Sequence, residues 1–225
     1  MKKIGFIGAF DKTDLIIYIA KILVEVGKKV LVVDATILQK ARYTIPYIAP
    51  TKFYVTEYEK IDVAIGFDNL EAIDKYLGNI DKTYDIILID VDSSEKFLSF
   101  NVAETEKLYF VTAFDNYSLN RGMEIISTLT KETKIKKILF EDEISEENDE
   151  YLNLLSLTYH VKWDEDKIYF PYEQGDLTAI IENQRVTQIK FRNLTEQYRD
   201  SLFILSQEII PDVKTREITK VFKNL

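Results

Sequence analysis

The chain has 225 residues, 46% hydrophobic and 30% charged, and its 29 basic and 38 acidic side chains leave a formal charge of −9. This excludes a disordered chain. A pI near 4.9 argues against non-specific attraction to nucleic-acid phosphate, and the absence of cysteine beside a single His160 excludes a disulfide framework, a thiol nucleophile and a histidine-rich zinc site. Seven glycines stand where average usage of about 7% would give about 16, so any phosphate loop is built from few of them.

One domain is expected at this length. The opening MKKIGFIGAF is interrupted by Asp11, Lys12 and Asp14 before a signal-peptide core or a membrane span is complete, and a cytoplasmic location is expected. Lys3 to Ile7 reads as a strand, Asp14 to Val26 as a helix apolar nearly all round, with Gly27 ending it, and Val30 to Val33 as a β-branched strand closing on Asp34. Strand, crossover helix and strand within about 30 residues make a βαβ unit, which favours a parallel sheet.

Thr36 to Tyr58, with Pro46, Pro50 and poor periodicity, reads as loop and short helix. A strand at Ile61 to Ile65, a helix at Asn69 to Leu77 and the continuous apolar run Tyr84 to Ile89, ending in Asp90, follow. Leu108 to Thr112 and Ile135 to Phe140 repeat the buried-strand pattern around a helix from about Leu119 to Thr130. Glu141 to Glu150 holds seven acids and no base, and reads as a solvated loop and helix start; a partner-facing acidic patch is the sharper alternative. Tyr159 to Val161 and Lys167 to Phe170 read as two short strands around Trp163, with His160 a packed or half-exposed neighbour and no catalyst. Two amphipathic helices, about Gly175 to Glu182 and Thr195 to Ile210, complete a doubly wound, mostly parallel α/β sheet with helices on both faces. The expected division is one domain over 1–212 and a tail over 213–225.

In such sheets ligands sit beyond the carboxyl ends of the strands. Those ends carry Gly8 to Thr13, Asp34, Asp90, Thr112 to Asn116, Glu141 and Pro171. Lys12-Thr13 follows the first strand and opens the first helix, the placement of a P-loop, in which backbone amides hold phosphate, a lysine reaches the terminal phosphates and a hydroxyl ligates magnesium. Asp90 stands where a carboxylate near that magnesium belongs. The plain alternative is a solvent-facing Lys12 at a helix start capped by Thr13 or Asp14, with Asp34 and Asp90 capping loops.

The order of strand, phosphate loop, long helix, GKKVLVVDAT, YDIILIDVDSS, KLYFVTAFDNYSLNRGMEII and PYEQGD resembles the MinD/ParA group of P-loop ATPases over nearly the full chain. That family's loop reads KGGxGK[ST][ST]. Aligned on Lys12, it places Ile7 on the signature lysine, Gly8 on the first glycine, Ala9 on the second, Asp11 on the third and Asp14 on the last hydroxyl, with Phe10 between.

Each departure has a consequence. Ile7 has no charge to stabilise a phosphoryl transition state across a dimer, and Asp11 puts a carboxylate where an anion would sit. The family's two Walker A′ aspartates fall on Asp34 and Thr36, so the water-positioning acid is missing. Glu141 and Asp142 stand where relatives commonly carry an adenine-reading asparagine. The resemblance therefore implies a degenerate nucleotide site, in which Gly8, Ala9, Phe10, Asp11, Lys12, Thr13, Asp34 and Asp90 are vestigial binding residues, no residue is catalytic, and Thr13 and Asp90 would ligate magnesium only alongside a nucleotide. No resident cofactor is expected, with ATP and magnesium as the alternative.

The reading that follows is a non-catalytic positioning or scaffold protein that forms a homodimer and docks an unidentified protein partner; the pilus-assembly localisation proteins called TadZ are similar in that some carry altered phosphate loops. The rival is a nucleotide-switched ATPase, and DNA-binding segregation is a third reading that the acidic sequence does not favour. In the tail, Ile218, Val221, Phe222 and Leu225 form a stripe at helical spacing beside Lys214, Arg216, Lys220 and Lys223. MinD proteins resemble this in a C-terminal membrane-targeting helix, which implies a weak peripheral contact at the inner face of the membrane that dimerisation would strengthen. A last helix packed on the body is the alternative.

Overall fold

The computed structural model describes residues 1–46, 51–141, 144–171 and 173–225; Pro50, Asp142, Glu143 and Tyr172 of the PYEQGD segment lie outside them. In chain order the elements are β1 (Lys2–Ile7), α1 (Thr13–Glu25), β2 (Val30–Asp34), α2 (Ala41–Thr44), β3 (Tyr54–Tyr58), β4 (Ile61–Ile65), α3 (Leu70–Leu77), α4 (Ile80–Thr83) and β5 (Ile86–Val91). They continue with α5 (Ser94–Ser99), β6 (Lys107–Thr112), α6 (Asn116–Ile126), β7 (Thr133–Glu141), α7 (Glu146–Leu155), β8 (Val161–Pro171), α8 (Gln174–Val186), α9 (Glu196–Ile209) and α10 (Thr215–Asn224). The sheet order is β3-β4-β2-β5-β1-β6-β7-β8. Every pairing is parallel except that of β3 with β4.

The apolar strands alternate between two cores. Val30 and Val32 of β2 face the layer holding α1, α8, α9 and α10, while Leu31 and Val33 face the layer holding α3, α5, α6 and α7. This is why continuous apolar runs mark the central strands: both faces are covered. The all-round apolar α1 is buried along nearly its whole length, against β2 and β5 on one side and α9 and α10 on the other. Gly27, at φ +87°, ends it: the amides of Gly27 and Lys28 return to the carbonyls of Val24 and Leu23, a closure that needs a left-handed residue.

Several expectations are corrected. Thr36 to Tyr58 holds a strand, β3, beside its short helix. It turns into β4 through Glu59 and Lys60, both at positive φ, so a tight hairpin forms without the usual Asn-Gly. The two short strands around Trp163 are one eleven-residue strand, continuous past a register irregularity opposite Ile135 to Lys137. Helices α4 and α5 were unannounced by periodicity because each is a turn or so long. Within the acidic run Asp149 is buried, ion-paired to Lys137 at 2.6 Å and Lys167 at 2.5 Å, and so is not part of a solvated face. His160 is exposed at the loop before β8.

The tail is not a separate appendage. Helix α10 turns its stripe inward: Ile218 and Val221 are buried, and Phe222 packs on Phe191 and Phe203 with ring centroids 5.3 and 5.9 Å apart. The side chains that a membrane contact would need are thus engaged with the body. Among the described residues no helix is long and apolar enough to cross a membrane.

Candidate functional site

The site begins where β1 leaves the sheet. Gly8 has φ +129°, and a Cβ there would lie 2.1 Å from the Val111 carbonyl oxygen, so only glycine passes between the ends of β5 and β6. Its amide donates to Val91 O at 3.2 Å. The chain then runs through Ala9, Phe10 and Asp11 to Lys12, which precedes the first residue of α1.

Lys12 is 2% exposed, which corrects the expectation of a solvent-facing lysine. Its Nζ donates to the Gly8 carbonyl at 2.7 Å and forms an ion pair with Asp90 Oδ1 at 2.7 Å. Parallel pairing brings Asp34 of β2 opposite Asp90 of β5. Burial pushes the Asp90 carboxyl up to about 7, against the opposing pull of Lys12, while Asp34 adds to the rise. Asp34 is raised too, mainly by burial. It accepts from the Thr36 hydroxyl at 2.6 Å, the Thr36 amide at 3.0 Å and the Ala41 amide at 3.0 Å. Asp34 is therefore a loop-capping acid, as the plain alternative has it, and Thr36 is its partner; Asp90 instead holds a buried cation.

The start of α1 is capped differently from expectation. The Thr13 amide donates to Asp11 Oδ1 at 3.2 Å, so neither Thr13 nor Asp14 supplies the cap. The other Asp11 oxygen is ion-paired to Lys40 at 2.7 Å. A carboxylate at a helix N-terminus lies in the favourable end of the peptide dipoles. Asp14 is half-buried, receives the Gln184 side-chain amide at 2.9 and 3.0 Å, and is pushed up to about 6 by its removal from water. Thr13 is buried, so the two residues assigned to a metal are one covered hydroxyl and one carboxylate already ion-paired. Among the described residues no group of three or more His, Asp or Glu side chains is placed to hold a metal ion.

Glu141, at the end of β7, accepts from the Ser145 amide at 3.2 Å and the Asn148 side chain at 3.1 Å, so it braces the start of α7. Asp142, its companion at the base-reading position, lies outside the described residues.

The structure also gathers residues that sequence reasoning missed. A cavity of about 630 Å³ lies beside the loop, between the ends of β7 and β8 and the first turns of α1 and α8. Phe10, Leu15, Phe140, Leu177, Ile180 and Tyr198 form its apolar side. Asp11, Asp14, Glu173 and Asp176 are its acids and Lys40 its one lysine. The sequence signal was the PYEQGD segment directly after the last strand, where ligand residues collect.

No protein-family model and no curated protein sequence matches the chain. Solved structures do. The MinD of the MinC:MinD complex from Aquifex aeolicus superposes with a TM-score of 0.60 at 14% identity, over 95% of this chain and 98% of that one. A ParA family ATPase from Chlorobium tepidum gives 0.59 at 13% identity over 92% and 98% of the two chains. McdA from Cyanothece, solved with ATP, gives 0.57 at 12% over 93% and 96%. At identities this low the likeness is one of architecture, and the chain has the α/β fold of the MinD/ParA P-loop ATPases.

Proposed function

We propose that this chain is a positioning or scaffold protein that keeps the MinD/ParA fold without ATP turnover and works by forming a homodimer and docking a protein partner. The observation that carries the reading is the loop chemistry. The Lys12 ammonium, which in a P-loop would reach phosphate, is held by Asp90 and the Gly8 carbonyl, and the Asp11 carboxylate sits on the Thr13 amide that a phosphate would use. A magnesium triphosphate placed here would face the Asp11 carboxylate at its binding end and would have to draw the buried Lys12 from its ion pair, which supports the reading. Docking is supported by Ile37, Leu38 and Tyr43, which are 61%, 66% and 80% exposed on the segment after β2, as interface side chains often are. The Aquifex aeolicus neighbour was itself solved with a partner, MinC.

Phosphate release with Mg·ATP, followed together with sedimentation, tests this. The expected outcome is no release above the buffer rate and a particle of two chains without nucleotide. Release that disappears in a folded Lys12→Arg variant overturns the reading. The second reading, a nucleotide-switched ATPase, is favoured by the placement of Lys12 just before α1 and Thr13 as its first residue, with Asp90 paired to Lys12. It expects a rise in melting temperature with Mg·ATP, since a ligand that binds only the folded state stabilises it by mass action.

A further inference from the structure

The cavity beside the loop has two properties that agree on a ligand. Its body is apolar and backed by a cluster of aromatic rings. Phe10 lies over Phe140 with centroids 4.7 Å apart, Phe140 stacks on Phe170 at 5.1 Å, and Tyr198 meets Phe170 edge-on at 5.0 Å. Its rim is acidic. Four carboxylates line it against Lys40 alone, and the ion pair of Lys40 with Asp11 at 2.7 Å offsets one of them. Asp176 is held by the Thr195 amide and hydroxyl at 2.7 and 2.8 Å.

The volume, about 630 Å³, is that of a small-molecule pocket. The apolar side suits a flat ring, and the carboxylates that line the cavity favour a cation. A phosphate would meet the same carboxylates as repulsion.

We propose that this cavity binds a small planar aromatic amine, its ring against Phe140 and its ammonium at the rim formed by Asp14 and Glu173. The inference rests on the reading of the loop as free of nucleotide, because a nucleotide at the loop would share Phe10 and Asp11. Apolar burial supplies the attraction common to any flat ring, and charge decides among rings of one shape. Unlike charges about 4 Å apart attract strongly at an effective dielectric of about 20, so a preference of at least about tenfold survives desolvation and partial screening.

Calorimetric titration of the whole chain with three indoles that share the ring and differ in side-chain charge tests this: tryptamine, 3-ethylindole and indole-3-propionate. The expected order of affinity is cation, neutral, anion, with at least about tenfold between the first and last. Leu177→Arg, at an exposed lining position, should weaken tryptamine by about tenfold or more, while Ile181→Arg, exposed on the same helix and outside the lining, should leave it unchanged. The proposal is overturned if indole-3-propionate binds as tightly as tryptamine, if Leu177→Arg has no effect in a folded protein, or if tryptamine does not bind at about millimolar concentration. A parallel titration with Mg·ATP separates the two readings. Nucleotide binding with the amine preference intact overturns the loop reading alone, and absence of both ligands overturns the pocket alone.

Discussion

Replacing Lys12 by methionine removes a cation whose side chain is 1% exposed and leaves Asp90, 4% exposed, without its ion-pair partner. At an effective dielectric of about 20, charges 2.7 Å apart attract by about 6 kcal/mol. Desolvation of both groups offsets much of this, and removing one member of a buried pair typically costs about 3–5 kcal/mol. For a chain of this size that is a fall in melting temperature of about 6–20 °C. The loss should depend on pH. Asp90 in the wild type is pushed up to about 7, so near pH 7.5 the pair is charged, whereas near pH 5.5 Asp90 is largely protonated and the partner matters less. Urea unfolding followed by circular dichroism at the two pH values measures both effects, and the double variant Lys12→Met, Asp90→Asn should recover most of the loss. A Lys12→Met protein within about 1 kcal/mol of wild type near pH 7.5 would refute the assignment of Lys12 to the core, and with it the main support for an idle loop.

The same groups set the pH dependence of the whole protein. Asp14 and Asp90, at about 6 and about 7, keep protons in the folded state over a range where the unfolded chain, with carboxyls near 3.8, has released them; stability therefore falls as pH rises through that window, by about 1.4 kcal/mol per group and pH unit. Thermal melts should show higher stability near pH 5.5 than near pH 7.5 by about 2 kcal/mol, and no such gain would contradict the burial of these carboxyls. Acids held low, such as Asp212 at about 2 beside Lys28, act only below that window. Gly8→Ala meets both a positive φ and the Val111 carbonyl, and should cost about 3 kcal/mol or more in urea unfolding. Ile218→Ala deletes a fully buried side chain of α10 and should cost about 2–5 kcal/mol; a variant as stable as wild type would detach the tail from the body and revive the membrane contact.

Much of this was legible in the chain itself. Period-free apolar runs such as Tyr84 to Ile89, and an all-round apolar first helix ended by Gly27, announce a covered parallel sheet from the sequence alone. The position of Lys12 between strand and helix marks the loop, and Ile7 and Asp11 are where it differs from the KGGxGK[ST][ST] pattern. What was not legible has a common cause. The β3 hairpin turns through Glu59 and Lys60, whose left-handed backbone is sustained by strand pairing and not by residue type. The amphipathic tail reads alike for lipid and for protein, since a stripe of Ile218, Val221 and Phe222 records only that one face avoids water.

The sequence by itself therefore determined the layer architecture and the end of the sheet where a site belongs, because burial on both strand faces and chain order are local properties. Only the tertiary structure decided what the loop residues do. Lys12 meets Asp90 across 78 positions because parallel strands carry β1 and β5 side by side, and Asp11, Lys40, Phe140 and Glu173 share one cavity because the carboxyl ends of separate strands converge there. Pairings between distant segments depend on register and packing, and no residue's own propensity encodes them.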